Sequence, residues 1–177
     1  MGIELINGRG QLGDELRKRI NHPSLSSLNE QIVIYHTWNT TDKSKEPQKL
    51  EYNKFKRYVD ENKHKKIIFI STYSEKNNHY NLYKHKAESY LIVNCDKSLV
   101  IRLPILVGKG IIRDFIQGTK EAYGEMNITT PAHAAIQILN IVGQQTLVKS
   151  LTISGEKISA KLIKALVDEV KNEESLH

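Results

Sequence analysis

The chain has 177 residues, of which 39% are hydrophobic and 26% charged, which suits one main domain with a small appendage and excludes a stapled mini-protein or wholesale disorder. Its single cysteine, Cys95, excludes an internal disulfide, no Cys/His spacing fits zinc, and no apolar run approaches the length of a membrane span, so a reducing cytoplasm is the expected compartment. A net charge of +6 suits an anionic partner, but the lysines are dispersed and lack the aromatic and glycine pattern of an RNA-binding sheet, which favours a phosphorylated small molecule over nucleic acid.

The first predicted element is a strand over residues 3–6. It runs into Gly8-Arg9-Gly10-Gln11-Leu12-Gly13, and Leu12, Leu16 and Ile20 then repeat at helical spacing. A Gly-x-Gly-x-x-Gly string between a strand and a helix permits a tight turn and close backbone approach, and the new helix offers N–H groups to a pyrophosphate. A loop rich in Pro and Ser leads to a strand over 31–35, which ends in His36-Thr37-Trp38. A helix is predicted from about 47 to 62, with Phe55, Tyr58 and Val59 on one face, followed by a short apolar strand over 66–70 that ends in Ser71-Thr72.

The next helix, over about 80–92, puts Tyr83, Ala87, Tyr90 and Leu91 on its core face and Tyr80, Lys84 and Glu88 together on another. A fourth strand, 98–103, stops at Pro104. Strands alternating with helices predict an α/β fold, a Rossmann-like doubly wound parallel sheet whose ligand cleft lies at the carboxyl ends of the strands. Beyond Gly110 the texture changes: a short helix around Ile111 to Ile116, a helix opened by Thr130-Pro131, a strand over 151–153, a turn at Ser154-Gly155-Glu156, and a last helix capped by Ser159. The expected division is a dinucleotide-binding domain over 1–110 and a small substrate lobe over 111–177.

Tyr80 and Lys84 carry the most chemistry. A phenol titrates near ~10, so it exchanges protons at neutral pH only where a cation favours the phenolate, and a lysine four residues along a helix stands on the same face. Ser71 or Thr72, at the preceding strand end, is placed to orient a substrate oxygen. The same spacing at Tyr52 and Lys56 lacks such a hydroxyl and reads as solvated surface. Glu88 reads as a helix-surface charge pairing with Lys84, and the histidines show no metal-ligand spacing.

The order of these motifs, Gly8 to Gly13, then Ser71-Thr72, then Tyr80 to Glu88, then Arg102-Leu-Pro104 through Gly110, resembles the extended short-chain dehydrogenase/reductase family of nucleotide-sugar epimerases, dehydratases and reductases. The Gly10-Gln11-Leu12-Gly13 string is most similar to the dTDP-4-dehydrorhamnose reductase branch. The resemblance implies NAD or NADP as cofactor, a nucleotide-linked sugar as substrate, and a homodimer formed across the helices near 48–62 and 80–92. It implies Tyr80 as the acid/base, Lys84 as the cation that lowers its pKa and binds the nicotinamide ribose, and Thr72, with Ser71 as the second choice, as the holder of the reacting oxygen. The turn Gly8, Arg9, Gly10, Gln11, Leu12 and Gly13 would meet the pyrophosphate, with Arg9 a candidate for the extra phosphate of NADP. His36, Thr37 and Pro104 would lie beside the cofactor.

Two departures accompany the match. The strand over 31–35, followed by His36, is more similar to the family's fourth strand than its second, so about two strands and the usual adenosine pocket are missing. No acidic residue stands at a strand end about 20 residues past the glycines, where a ribose-binding carboxylate belongs. A non-catalytic Rossmann-like module for sensing a ligand or binding a partner is therefore the alternative expectation.

Overall fold

The structure, a computed structural model, describes residues 2–6, 8–22, 25, 30–36, 38–144 and 148–174. In chain order the first half contains β1 (Ile3–Ile6), α1 (Gly10–Arg17), β2 (Ile32–Tyr35), α2 (Lys45–Glu61), β3 (Lys66–Thr72), α3 (His79–Asn94) and β4 (Ser98–Leu103). Then follow β5 (Ile105–Leu106), α4 (Lys109–Ile116), β6 (Glu125–Thr129), α5 (Pro131–Val142), β7 (Ser150–Thr152), β8 (Glu156–Ser159) and α6 (Ala160–Glu174).

The main sheet has the order β1-β2-β3-β4-β7, and every neighbouring pair is parallel. The central strands β2, β3 and β4 are buried on both faces, which is why they read as largely continuous apolar runs. Side chains alternate across β3. Ile67 and Phe69 pack with Phe55 and Val59 of α2 and Tyr83, Ala87 and Leu91 of α3. Ile68 and Ile70 pack with Leu12 and Leu16 of α1 and Ala134, Ala135 and Ile138 of α5. Helices thus cover both faces of a parallel sheet, the expected Rossmann-like α/β arrangement.

The shortening is visible in the register. β2 pairs directly with β1, from Ile3 opposite Ile32 to Ile6 opposite Tyr35, and among the described residues β1 is the edge of the sheet. The link from α1 to β2 spans residues 18–31 and, among those described, forms no strand.

A second sheet, β5-β6-β8, forms the small lobe, with α4 packed on α6. It is made from two separate stretches of chain. Between them, α5 and β7 return to the main sheet, where Ile138, Leu139, Val142 and Ile153 are buried.

Candidate functional site

The glycine turn comes first. Gly10 has φ +78°, a left-handed conformation that disfavours any side chain. A Cβ on Gly13 would fall on the backbone of Gly8, so the first turn of α1 rests directly on the loop. Arg9 is the N-cap residue, no side chain caps the helix, and no acidic residue occupies its first turn, which leaves the positive end of the helix dipole facing outward. Gln11 reaches across to the small lobe, where its amide lies against Gly108.

At the end of β2, the His36 ring hydrogen-bonds the Arg9 backbone while its Nδ1 is buried without a partner. Burial, and secondarily the charge of Lys84, push its pKa down to about 4, so the imidazole is neutral. Thr37 lies outside the described residues. Beyond it, Trp38 donates from Nε1 to Gln48 Oε1 at 2.7 Å, and Gln48 Nε2 donates to the carbonyls of Asn39 at 2.9 Å and Asp42 at 2.5 Å. One buried glutamine on α2 therefore fastens the loop that walls the cleft. Nothing in the sequence distinguishes Gln48 from a surface helix residue.

β3 supplies the hydroxyls. Ser71 is 3% exposed and its Oγ has no partner, whereas Thr72 Oγ1 accepts from the Ser74 N–H at 3.1 Å and keeps its own proton to donate. α3 begins at His79, capped by Asn78, whose side chain accepts from the Asn81 N–H at 2.9 Å. This cap fixes the first turn, and with it Tyr80.

Lys84 is 4% exposed. Its Nζ donates to the Ile70 carbonyl at 2.8 Å and lies 5.2 Å from the ring centre of Phe69, 5.5 Å from that of Tyr80 and 5.7 Å from that of Trp38. Burial pushes its pKa down to about 7, opposed by the Glu88 carboxylate. The expectation that Lys84 lowers the Tyr80 pKa is corrected here: burial dominates and pushes the phenol up to about 12. Both groups are desolvated, and desolvation drives each toward its neutral form.

Glu88 also departs from expectation. It is buried rather than on the surface, and it takes Arg102 of β4, with Nη2 to Oε2 at 2.5 Å and Nε to Oε2 at 3.1 Å.

A cleft of about 770 Å³ at the carboxyl ends of the strands is lined by Arg9, Gly10, Leu12, His36, Ser71, Thr72, Tyr80, Lys84 and Pro104. Gln11 lines an adjoining cavity of about 260 Å³ with Arg9, Gly10, Leu12 and His36. Gly8 and Gly13 shape the turn by their mutual approach. A further cavity of about 720 Å³ shares Thr72, Tyr80 and Pro104 and opens toward the small lobe, its wall carrying Lys43, Lys76, Lys120 and Lys157 together with Glu121 and Glu125. No cluster of three or more His, Cys, Asp or Glu suited to a metal occurs among the described residues. For a nicotinamide dinucleotide the residues fit in part. The glycine turn, which has no room for a side chain at Gly13, and the unpartnered Ser71 Oγ and His36 Nδ1 suit the pyrophosphate and one nucleotide. The bare edge of β1 provides no wall for the other.

Neither a protein-family model nor a curated protein sequence matches the chain. Solved structures do. A dTDP-4-dehydrorhamnose reductase from Clostridium acetobutylicum superposes with TM-score 0.75 and 15% identity over 97% of this chain and 81% of its own. The enzyme of the same name from Bacillus anthracis, in complex with NADP, gives TM-score 0.69 and 16% identity over 94% and 80%. A UDP-N-acetylglucosamine 4-epimerase from Bacillus cereus gives TM-score 0.65 and 14% identity over 92% and 81%. At such identities the likeness is one of fold. The chain has the Rossmann-like α/β fold that these sugar-nucleotide reductases and epimerases share, and among its described residues the first strand stands at the sheet edge.

Proposed function

We propose that the protein is an NAD(P)-dependent reductase or epimerase of the short-chain dehydrogenase type that acts on a nucleotide-linked sugar. The observation that carries this reading is the convergence of Tyr80, Lys84, Ser71, Thr72 and the glycine turn on one cleft. The similar solved structures include sugar-nucleotide reductases and epimerases, one of them bound to NADP, which supports the same class.

A nicotinamide cofactor bound along the strand ends would supply or accept the hydride. The chain's own residues handle the proton. Thr72, and Ser71 behind it, donate hydrogen bonds to the reacting oxygen. The Tyr80 phenol, pushed up to about 12, is protonated at physiological pH and delivers its proton to that oxygen as charge develops. Lys84 completes the device. With its pKa near 7, Lys84 is partly protonated at neutral pH; a phenolate forming beside it favours the ammonium, so Lys84 takes a proton from water in the open cleft as Tyr80 gives its own to the substrate oxygen.

Tyr80→Phe is expected to lower turnover by about 10²-fold or more while ligand binding is kept. Turnover unchanged in this variant would sink the proposal. The high phenol pKa favours a second reading, a ligand-sensing module without catalysis, and hydride transfer measurable with any nucleotide sugar would exclude it. In either case the exposed Leu50, Leu82 and Val93 on α2 and α3 suit a homodimer formed across those helices. Light scattering at high concentration should give twice the chain mass, and a monomer would refute the dimer.

A further inference from the structure

We infer that the cleft is half of a dinucleotide site: it reads the nicotinamide mononucleotide end of the cofactor and leaves the adenosine end unread. This inference rests on the cofactor reading proposed above.

A Rossmann sheet is two mononucleotide-binding halves joined at its first strand, and the dinucleotide lies across the crevice where the strand order reverses. Among the described residues the order never reverses. Every other described strand of the main sheet lies to one side of β1, and β2 hydrogen-bonds it along its whole length. Only one half is built.

The residues at the place of the missing half agree. The strand end about 20 residues past the glycines, where a carboxylate would hold the adenosine ribose, is here Tyr35-His36. Tyr35 is buried in the α2/α3 core, its ring 4.8 Å from that of Phe55. His36 is neutral, bonded to the Arg9 backbone, and lines the cleft with Tyr80 and Lys84. Neither can accept a ribose hydroxyl as a carboxylate would.

Among the described residues, no unpaired cation beside the glycine turn faces the place of a 2′-phosphate. Arg17, beside the glycine turn, is paired with Asp14 at 2.6 Å, and Arg9 lines the cleft itself. The half that is built is well supplied by contrast. It has the collision-tight glycine turn, the unpartnered and buried Ser71 Oγ, and a cleft of about 770 Å³.

An adenosine group that touches little adds little to affinity, whatever phosphate it carries. Calorimetric titration of the intact protein with reduced nicotinamide mononucleotide, NADH, NADPH and 5′-AMP tests this. Expected are dissociation constants for the first three that agree within about threefold, with no displacement of any by AMP. NADH or NADPH binding about 30-fold or more tighter than the mononucleotide, or displacement by AMP, would overturn the half-site and leave the cofactor reading intact. Absence of binding by all three reduced nucleotides would overturn the cofactor reading itself.

Discussion

A lysine walled by three aromatic rings makes stability rise with pH, as a paired carboxylate does, but in the neutral to alkaline range rather than the acid one. Lys84 has a pKa near 7 in the folded chain against 10.5 as its ordinary value. Between those values the unfolded chain holds a proton that the folded chain does not, so stability rises with pH through that window and the deficit is complete below it. Lys84→Met removes the group. The stability of this variant relative to the parent should therefore be most favourable at pH 6 to 7 and decline by roughly 4 kcal/mol by pH 10. Urea unfolding at pH 6, 8 and 10 reads it, and a difference constant with pH would refute the buried-ammonium account. Arg102 and Glu88 offer a second residue-scale test. The carboxylate side chain is 5% exposed and the guanidinium 34%, so the two halves of the pair are unequal when orphaned. Arg102→Leu strands a buried charge and is expected to destabilise by about 3 kcal/mol, whereas Glu88→Leu leaves a cation that can reach water and should do less. Equal losses in thermal unfolding would count against this. The spacing of Tyr80 and Lys84 was legible in the sequence. The sign of the phenol shift was not, because it depends on burial contributed by elements distant in the chain.

Elements with strong periodicity were the readable ones. The four strands of the main sheet up to residue 103, the helices between them, the Thr130 cap and the Ser159 cap all appear, the last two accepting from the His133 and Leu162 N–H groups at 3.2 Å each. The small lobe was read poorly. β6 has no counterpart among the predicted elements and β8, Glu-Lys-Ile-Ser, begins at Glu156 in what reads as a turn, because each strand is only four or five residues long and carries at most two apolar side chains. The turn before α1 combines both lessons. Its glycines were legible as a motif, but their separate duties emerge only from contacts. A Cβ on Gly13 meets the rigid backbone of Gly8, while one on Gly10 meets nothing within 4 Å and suffers only from its φ of +78°. Gly10→Ala should therefore lose about 1 kcal/mol and Gly13→Ala about 2 kcal/mol or more, since overpacking against backbone cannot be relieved by a rotamer. Thermal melts of the two variants decide the order, and a milder Gly13→Ala would show that α1 can slide away from the loop.

At the scale of the whole molecule, the position of β1 at the sheet edge follows from a feature the sequence did carry: a strand ending in His36 where the family's second strand would stand. What the sequence could not carry is that the chain re-enters the main sheet after building most of the small lobe. A change of texture near residue 110 marks where the lobe begins, but periodicity says nothing about which sheet a later helix covers. α5 lies beside α1, and its Ile138, Leu139 and Val142, with Ile153 after β7, complete the core on that face. Burial of four such side chains contributes on the order of 6–12 kcal/mol, which is comparable to the whole stability of a typical domain. A fragment of residues 1–110 would also expose Leu12, Leu16, Ile68, Ile70 and Ile101 to water and leave β4 as a second open edge. It is expected to lack a cooperative urea transition and to aggregate, although it contains the complete glycine turn, both hydroxyls and the Tyr80 helix. A sharp unfolding transition with dispersed amide resonances from this fragment would show instead that α2, α3 and four strands suffice, and that α5 and β7 serve the lobe rather than the sheet.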